Sequence, residues 1–337
     1  MIYLHVPFCR SFCTYCDFYS ELLCKGCDGR TTDGYLEGVC AEIDSRRPEI
    51  ENSKGVNTLY VGGGTPSALP LACLERIVRH LGQENYEEFT VEVNPEDIVE
   101  KGPDYVSGLK ALGVTRVSMG VQSLDDGILR WMNRRHTAER ALRAYRMLRE
   151  GGFSNISLDL IFGLSNLPDA VLEDTLASFV QLAPEHISAY QLSIEEGSAL
   201  SEMAADGRYT EASDEDCRRQ YELICARLRE AGYHHYEISN WARPGREAVH
   251  NSAYWSRQPY VGLGPGAHSL RIEGGVQTRS WNSQSLSGWT SESETLTPEE
   301  IREEEIMLGL RTDKGVHGRV IPESDWFVSD EIIRDLI

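Results

Sequence analysis

Five of the nine cysteines lie within the first 27 residues, and three of these form the run Cys9-Arg-Ser-Phe-Cys13-Thr-Tyr-Cys16, directly after a short apolar stretch. Three thiolates so spaced can hold three irons of a [4Fe-4S] cubane and leave the fourth without a protein ligand, whereas four would close the cluster for electron transfer. An iron left open can chelate a substrate or cofactor. Phe8, Phe12, Tyr15 and Phe18 surround the thiols and are suited to keep solvent from a cluster. The competing reading is zinc, because Cys13-x2-Cys16 and Cys24-x2-Cys27 are two C-x2-C pairs, but the seven residues between them are fewer than common zinc ribbons use. A redox C-x2-C motif would leave Cys9 without a role. Cys24 and Cys27 sit in a Gly/Asp-rich loop and read as a local feature, and the scattered Cys40, Cys73, Cys217 and Cys225 read as small buried hydrophobes.

A thiol loop needs a frame. Short β-branched or aromatic runs recur along the chain at 2–8, 57–63, 88–94, 116–123, 157–164 and 186–193, and the segments 71–82, 97–112, 138–151 and 170–182 between them carry apolar residues at helical spacing. Six such βα units predict an α/β fold, a partial (β/α)6 barrel, whose functional residues sit at the C-terminal ends of the strands. A long helix is expected at 213–232. The reading divides the chain there, with 1–232 as the barrel and 233–337 as a smaller C-terminal region. The Gly-, Trp- and Tyr-rich stretch 234–289 reads as hairpins and loops. Thr297-Pro298-Glu299-Glu300 opens a helix over 297–311 with an N-cap, a first-turn proline and acids near the positive end of the dipole. A further helix over 330–337 leaves the appended region reading as incomplete.

Several other strand ends carry polar groups. Gly62-Gly63-Gly64 lets backbone groups approach a ligand without an intervening side chain, although a tight turn alone also explains it. Glu92 ends a strand where its carboxylate could accept from ribose or amino groups, and Gln122, Arg134 and Asp159 could reach the same mouth from neighbouring units. His250, in His250-Asn-Ser-Ala-Tyr254-Trp255, combines a candidate axial imidazole with flat aromatic surface against which a macrocycle can lie; capping a hairpin is the plainer alternative.

The opening Tyr3-Leu4-His5-Val6-Pro7-Phe8-Cys9-x3-Cys13-x2-Cys16-Asp17-Phe18 closely resembles that of the oxygen-independent coproporphyrinogen III oxidase superfamily of radical-SAM proteins. Gly62-Gly63-Gly64-Thr65-Pro66, Glu92-Val93-Asn94-Pro95, Ser118-Met119-Gly120-Val121-Gln122-Ser123 and Asp159-Leu160-Ile161-Phe162-Gly163-Leu164 resemble its later motifs in order, over most of the chain. The resemblance implies a [4Fe-4S] cluster on Cys9, Cys13 and Cys16, with S-adenosyl-L-methionine on the open iron and one-electron cleavage of its sulfonium. It places Tyr3, Gly63, Gly64, Thr65, Glu92, Gln122, Arg134 and Asp159 at positions that contact S-adenosylmethionine.

Within the superfamily the chain departs from the oxidases. Those carry a further cysteine where Phe18 stands, and an N-terminal extension before the first strand. Both departures, and the HNxxYW stretch at 250–255, are instead similar to the haem chaperones of the superfamily. That resemblance implies His250 as the haem ligand, haem as cargo and acceptor haem proteins, some of them membrane-bound. It also implies an electron donor for the cluster and a possible homodimer. Tyr260 to Ser269 is also similar to the chaperones, apart from Pro265, and makes His268 a secondary candidate. The alternative is a porphyrinogen oxidase of porphyrin metabolism, converting propionate to vinyl by radical decarboxylation; a haem-modifying radical enzyme is a third. Whether the chain is an enzyme is left open by the sequence.

A net charge of −20, with no dense Lys/Arg stripe, opposes a phosphate backbone, so nucleic acid is not expected as a partner. No apolar run approaches the roughly 18 residues that cross a bilayer, and the start lacks the basic and apolar segments of a signal peptide. The cytoplasm is the expected location, which fits an odd count of reduced thiols.

Overall fold

The computed structural model describes residues 1–23, 30–53, 55–82 and 85–337; Cys24 and Cys27 lie outside them. Six parallel strands run in chain order across one sheet: β1 (Ile2–Val6), β2 (Thr58–Gly63), β3 (Glu88–Val93), β4 (Arg116–Gln122), β5 (Ile156–Phe162) and β6 (His186–Gln191). The helices that return the chain between them include Arg30–Ser45, Leu71–Leu81, Pro95–Ala111, Ala138–Glu150 and Asp169–Leu182. The sequence places all six strands to within two residues, because each is bounded by a turn residue or a change of period.

An open parallel sheet covered on both faces reads as continuous apolar runs; these strands alternate. Leu59 and Val61, Phe89, Val91 and Val93, Val117, Met119 and Val121, and Leu158 and Leu160 belong to the buried core. The intervening residues, Tyr60, Glu92, Ser118, Gly120 and Asp159, instead line a single cavity. Side chains from successive strands meet in one cavity only if the sheet curls, so this is the wall of a partial barrel with apolar side chains turned to the helices and polar ones turned inward.

Residues beyond 232 extend both sheet edges. β7 (His234–Glu237) and β8 (Asn240–Ala242) form an antiparallel hairpin beside β6, while β9 (Val261–Leu263) pairs in parallel with β1. The full order is β9-β1-β2-β3-β4-β5-β6-β8-β7, and among the described residues no ladder joins the two edges. β10 (His268–Glu273), β11 (Val276–Asn282) and β12 (Ser291–Thr295) make a separate antiparallel sheet.

The expectation of hairpins and loops over 234–289 is corrected in one place. Val249–Trp255 is a helix, so His250 sits in a helical first turn rather than on a hairpin. No local side chain caps it; the carboxylate of Glu88, more than 160 residues earlier, accepts from the backbone N–H of Val249 at 3.1 Å and of His250 at 3.0 Å. A cap supplied from so far away leaves no local signature. The helix Pro298–Gly309 does carry its full capping box, Thr297 with Glu300. No helix among the described residues is long and apolar enough to cross a membrane.

Candidate functional site

The cysteine loop leaves β1 at the C-terminal edge of the barrel and is held in place along its length. Gly64 and Thr65, just past β2, donate backbone bonds to Val6 O at 2.9 Å and Phe8 O at 2.7 Å, joining the glycine turn to the start of the loop. The glycines are required by packing. A Cβ on Gly63, whose φ is +108°, would fall 2.6 Å from the His5 ring, and one on Gly64 would meet Phe8 and Val6 backbone at 3.0 Å. Further along, Thr14 N donates to Met132 O at 3.1 Å and Leu200 N to Thr14 O at 2.7 Å. Arg10, next to Cys9, bonds Glu100 at 2.6 Å and faces the fully buried Asp97.

Cys9, Cys13 and Cys16 all open onto one cavity of about 460 Å³ and none is in a disulfide. Thr65 Oγ1 lies 3.3 Å from Cys9 Sγ, and Arg134 donates from Nη1 to Cys13 Sγ at 3.3 Å. Burial raises the Cys9 thiol and pushes Cys16 up to about 12. Burial works against the charge of Arg134, but Tyr15 and Cys13 beside it hold its pKa above the ordinary value.

The sequence candidates Gly63, Gly64, Thr65, Glu92, Gln122, Arg134 and Asp159 line this same cavity. Glu92 accepts from Tyr60 Oη at 2.7 Å and from the N–H of Gly63 at 3.1 Å; burial, and the charge of Asp159, still raise its carboxyl to about 7. Asp159 is raised to about 6 by burial, although Ser188 and Ser118 bond it. Gln122 stands at a ladder irregularity between β4 and β5 with φ of +67°, a conformation a long side chain adopts at a cost. Its Oε1 and the Nε of Arg134 are buried without a hydrogen-bond partner. Unpaired buried groups on a cavity wall are what a polar ligand would satisfy. Three free thiols at the mouth and orphaned polar atoms below fit an open-iron cluster with an amino-acid-bearing cofactor beside it.

Two candidates are elsewhere. Tyr3 does not line the cavity; it pairs in register with Tyr60 on the same inward face, 6.1 Å ring to ring, and its hydroxyl meets His5 Nδ1 at 3.1 Å. His250 lies toward the other end of the barrel, 1% exposed, with Nδ1 2.8 Å from Thr58 Oγ1 and Nε2 3.0 Å from Tyr254 Oη. The secondary candidate His268 is exposed on β10, ring to ring 6.4 Å from Trp281. Sequence reading missed Tyr60, Ser118 and Tyr190, which also line the cavity. Ser118 had a signal, as part of the polar half of the period-two alternation in β4; the two tyrosines did not.

Residues 3–179 match the model of the Radical SAM superfamily, so fold and site together define a radical SAM protein. The chain is 36% identical over 329 residues to the haem chaperone HemW of Mycobacterium tuberculosis, covering 94% of this chain and 82% of that protein. It is 33% identical over 322 residues to the HemW of Lactococcus lactis, covering 93% and 82%. The solved structure of coproporphyrinogen III oxidase, HemN, from Escherichia coli superposes with a TM-score of 0.75 at 24% identity, over 93% of this chain and 75% of that one, a likeness of fold. The chain belongs to the HemW family of the radical SAM superfamily.

Proposed function

We propose that the protein is a haem chaperone that binds haem and passes it to acceptor haem proteins, and that Cys9, Cys13 and Cys16 hold a [4Fe-4S] cluster with S-adenosylmethionine beside it. The observation that carries this reading is the near-full-length likeness to HemW proteins, 36% identity over 94% of the chain. When bound, the cluster and S-adenosylmethionine supply one-electron chemistry at an iron that the protein leaves open. Gly63, Gly64 and Thr65 form the turn beside the loop, Glu92 and Asp159 offer carboxylate oxygens to amino or ribose groups, and Gln122 and Arg134 offer their unpaired atoms. The protein acts in the cytoplasm, takes its electron from a separate reductant, self-associates as a homodimer and serves acceptors that include membrane-bound haem proteins.

His250 is the proposed haem ligand, and the structure sets a condition on that role. Both ring nitrogens are engaged with Thr58 and Tyr254, so ligation requires one of those bonds to break and the helix Val249–Trp255 to lift from the barrel end. Neutral imidazole is the ligating form, and burial keeps His250 neutral, with its pKa lowered to about 3.

The test is anaerobic reconstitution with iron and sulfide, haem titration followed by absorbance, and a coproporphyrinogen turnover assay on the same preparation. Stoichiometric haem binding and transfer to an apo-haem protein, without vinyl product, is the expected result. Vinyl product from a preparation that retains no haem would replace this reading with the oxidase.

A further inference from the structure

Far from the cysteine loop, three metal-ligating side chains of different chemistry converge beneath the C-terminal segment. Cys225 comes from the helix Asp214–Glu230, His235 from β7, and Glu323 from the first residue of the short helix Glu323–Val328. One ligand atom of each lies within 4.8 Å of the other two. His235 Nδ1 is 2.9 Å from Glu323 Oε1 and 4.0 Å from Cys225 Sγ. Tetrahedral zinc, with bonds of about 2.0–2.3 Å, spaces its ligand atoms by about 3.5 Å, and the two separations fall on either side of that value.

The imidazole is set up for this. Cysteine and carboxylate both face the same ring nitrogen, which excludes a nucleophile–base–acid relay, since a relay needs one partner on each nitrogen. The other nitrogen, Nε2, points to Ile238 O at 3.4 Å, the arrangement that fixes the tautomer of a metal-bound histidine. Trp241 stacks on the ring at 4.0 Å and Trp326 packs edge-on at 4.4 Å, holding its orientation in an apolar shell. Glu323 is the solvent-facing member and gives the ion its way in. Arg229 occupies only Oε1 of that carboxylate, at 2.8 Å, and Oε2 has no hydrogen bond among the described residues.

We propose that Cys225, His235 and Glu323 bind one zinc-class divalent ion, with water in the fourth position, clamping the C-terminal segment onto the outer edge of the barrel sheet. The three donors, one sulfur, one nitrogen and one oxygen, select a borderline cation over calcium or magnesium. The site is independent of the haem and cluster reading.

The experiment measures zinc per chain by mass spectrometry after equilibration with a zinc-buffered chelator. It uses the full chain with Cys9, Cys13 and Cys16 replaced by alanine, so that zinc on those thiols is not counted. Cys225→Ser and Glu323→Gln should each lose one equivalent relative to this parent, and zinc should slow amide exchange over 323–334 in the parent alone. Cobalt in place of zinc should give a thiolate-to-metal charge-transfer band that Cys225→Ser removes. Retention of the full zinc count by either variant overturns the site. Glu323 is partly exposed, so Glu323→Gln keeps the test decisive if Cys225→Ser does not fold.

Discussion

Thr58 Oγ1 lies 2.8 Å from His250 Nδ1, so the residue at the N-terminal end of β2 is bonded to the histidine that the haem-chaperone resemblance singles out. The same strand carries Tyr60, whose hydroxyl bonds Glu92 on the cavity wall and whose ring lies 5.1 Å from that of His250. One strand therefore touches both the cavity onto which the three cysteines open and the helix bearing the proposed haem ligand.

That contact gives His250 a structural role as well as a proposed ligating one. His250→Ala leaves Thr58 and Tyr254 hydroxyls without their partner in a buried site, and should lower stability by about 3 kcal/mol in urea unfolding. If the ring ligates iron, haem must free it, so haem added to the wild-type chain should speed amide exchange across 249–255. Haem bound without any change in that exchange would place the ligand elsewhere.

Gln122 and Gly63 both have positive φ near the cavity, yet they should respond in opposite ways to substitution. Gln122→Gly removes strain and should hold or raise stability by up to ~1 kcal/mol while weakening S-adenosylmethionine binding, because the unpaired amide oxygen is lost. Gly63→Ala brings a Cβ against the His5 ring and should destabilise the fold and detach the cysteine loop. Calorimetric titration with S-adenosylmethionine beside thermal unfolding separates the two; equal ligand affinity in Gln122→Gly would remove that residue from the site.

Much of this was legible in the sequence, and the gaps have physical causes. The strands and the thiol loop follow from local periodicity and spacing, which neighbouring residues encode. The place of His250 does not, because its helix is capped by Glu88 from β3 and its edge strand β9 inserts beside β1 through a long return of the chain. Tyr60 and Tyr190 were hidden differently: an aromatic in a strand reads as core until the curl of the sheet turns its face to the cavity.

Glu92 should leave a mark on the pH dependence of stability. Its folded pKa, about 7, lies above the ordinary carboxyl value of 4.5, so the folded state binds its proton more tightly than the unfolded state. The resulting stability is fully present below about 4.5 and is lost as pH rises through about 7. Other carboxylates, such as Glu323, lowered to about 2 by His235 and Arg229, slope the opposite way, so the informative quantity is a difference between variants. Glu92→Gln, measured against wild type by urea unfolding from pH 4.5 to pH 8, should gain relative stability with rising pH, by an amount on the order of 2–3 kcal/mol across the window. A constant difference would mean that Glu92 titrates in the folded protein at its ordinary value, with no shift on folding.

The cysteine loop is anchored through a charge that never meets solvent, and this sets the last expectation. Asp97 is fully buried, accepts from Arg135 Nη1 at 2.8 Å and from Ser67 Oγ at 2.9 Å, and faces Arg10 Nε at 3.8 Å. Removing one partner of a buried pair leaves the other charge uncompensated, so Asp97→Ala should cost about 3 kcal/mol or more. Asp97→Asn preserves shape and the bond from Ser67 and should cost less, but Arg10 would lose its inner partner and keep only Glu100. Since Arg10 adjoins Cys9, the loop should then release iron faster to a chelator at a protein concentration and temperature where the fold remains intact. Iron loss in Asp97→Asn at the wild-type rate would show that the backbone bonds of Thr14, Gly64 and Thr65 hold the loop without the ion pair.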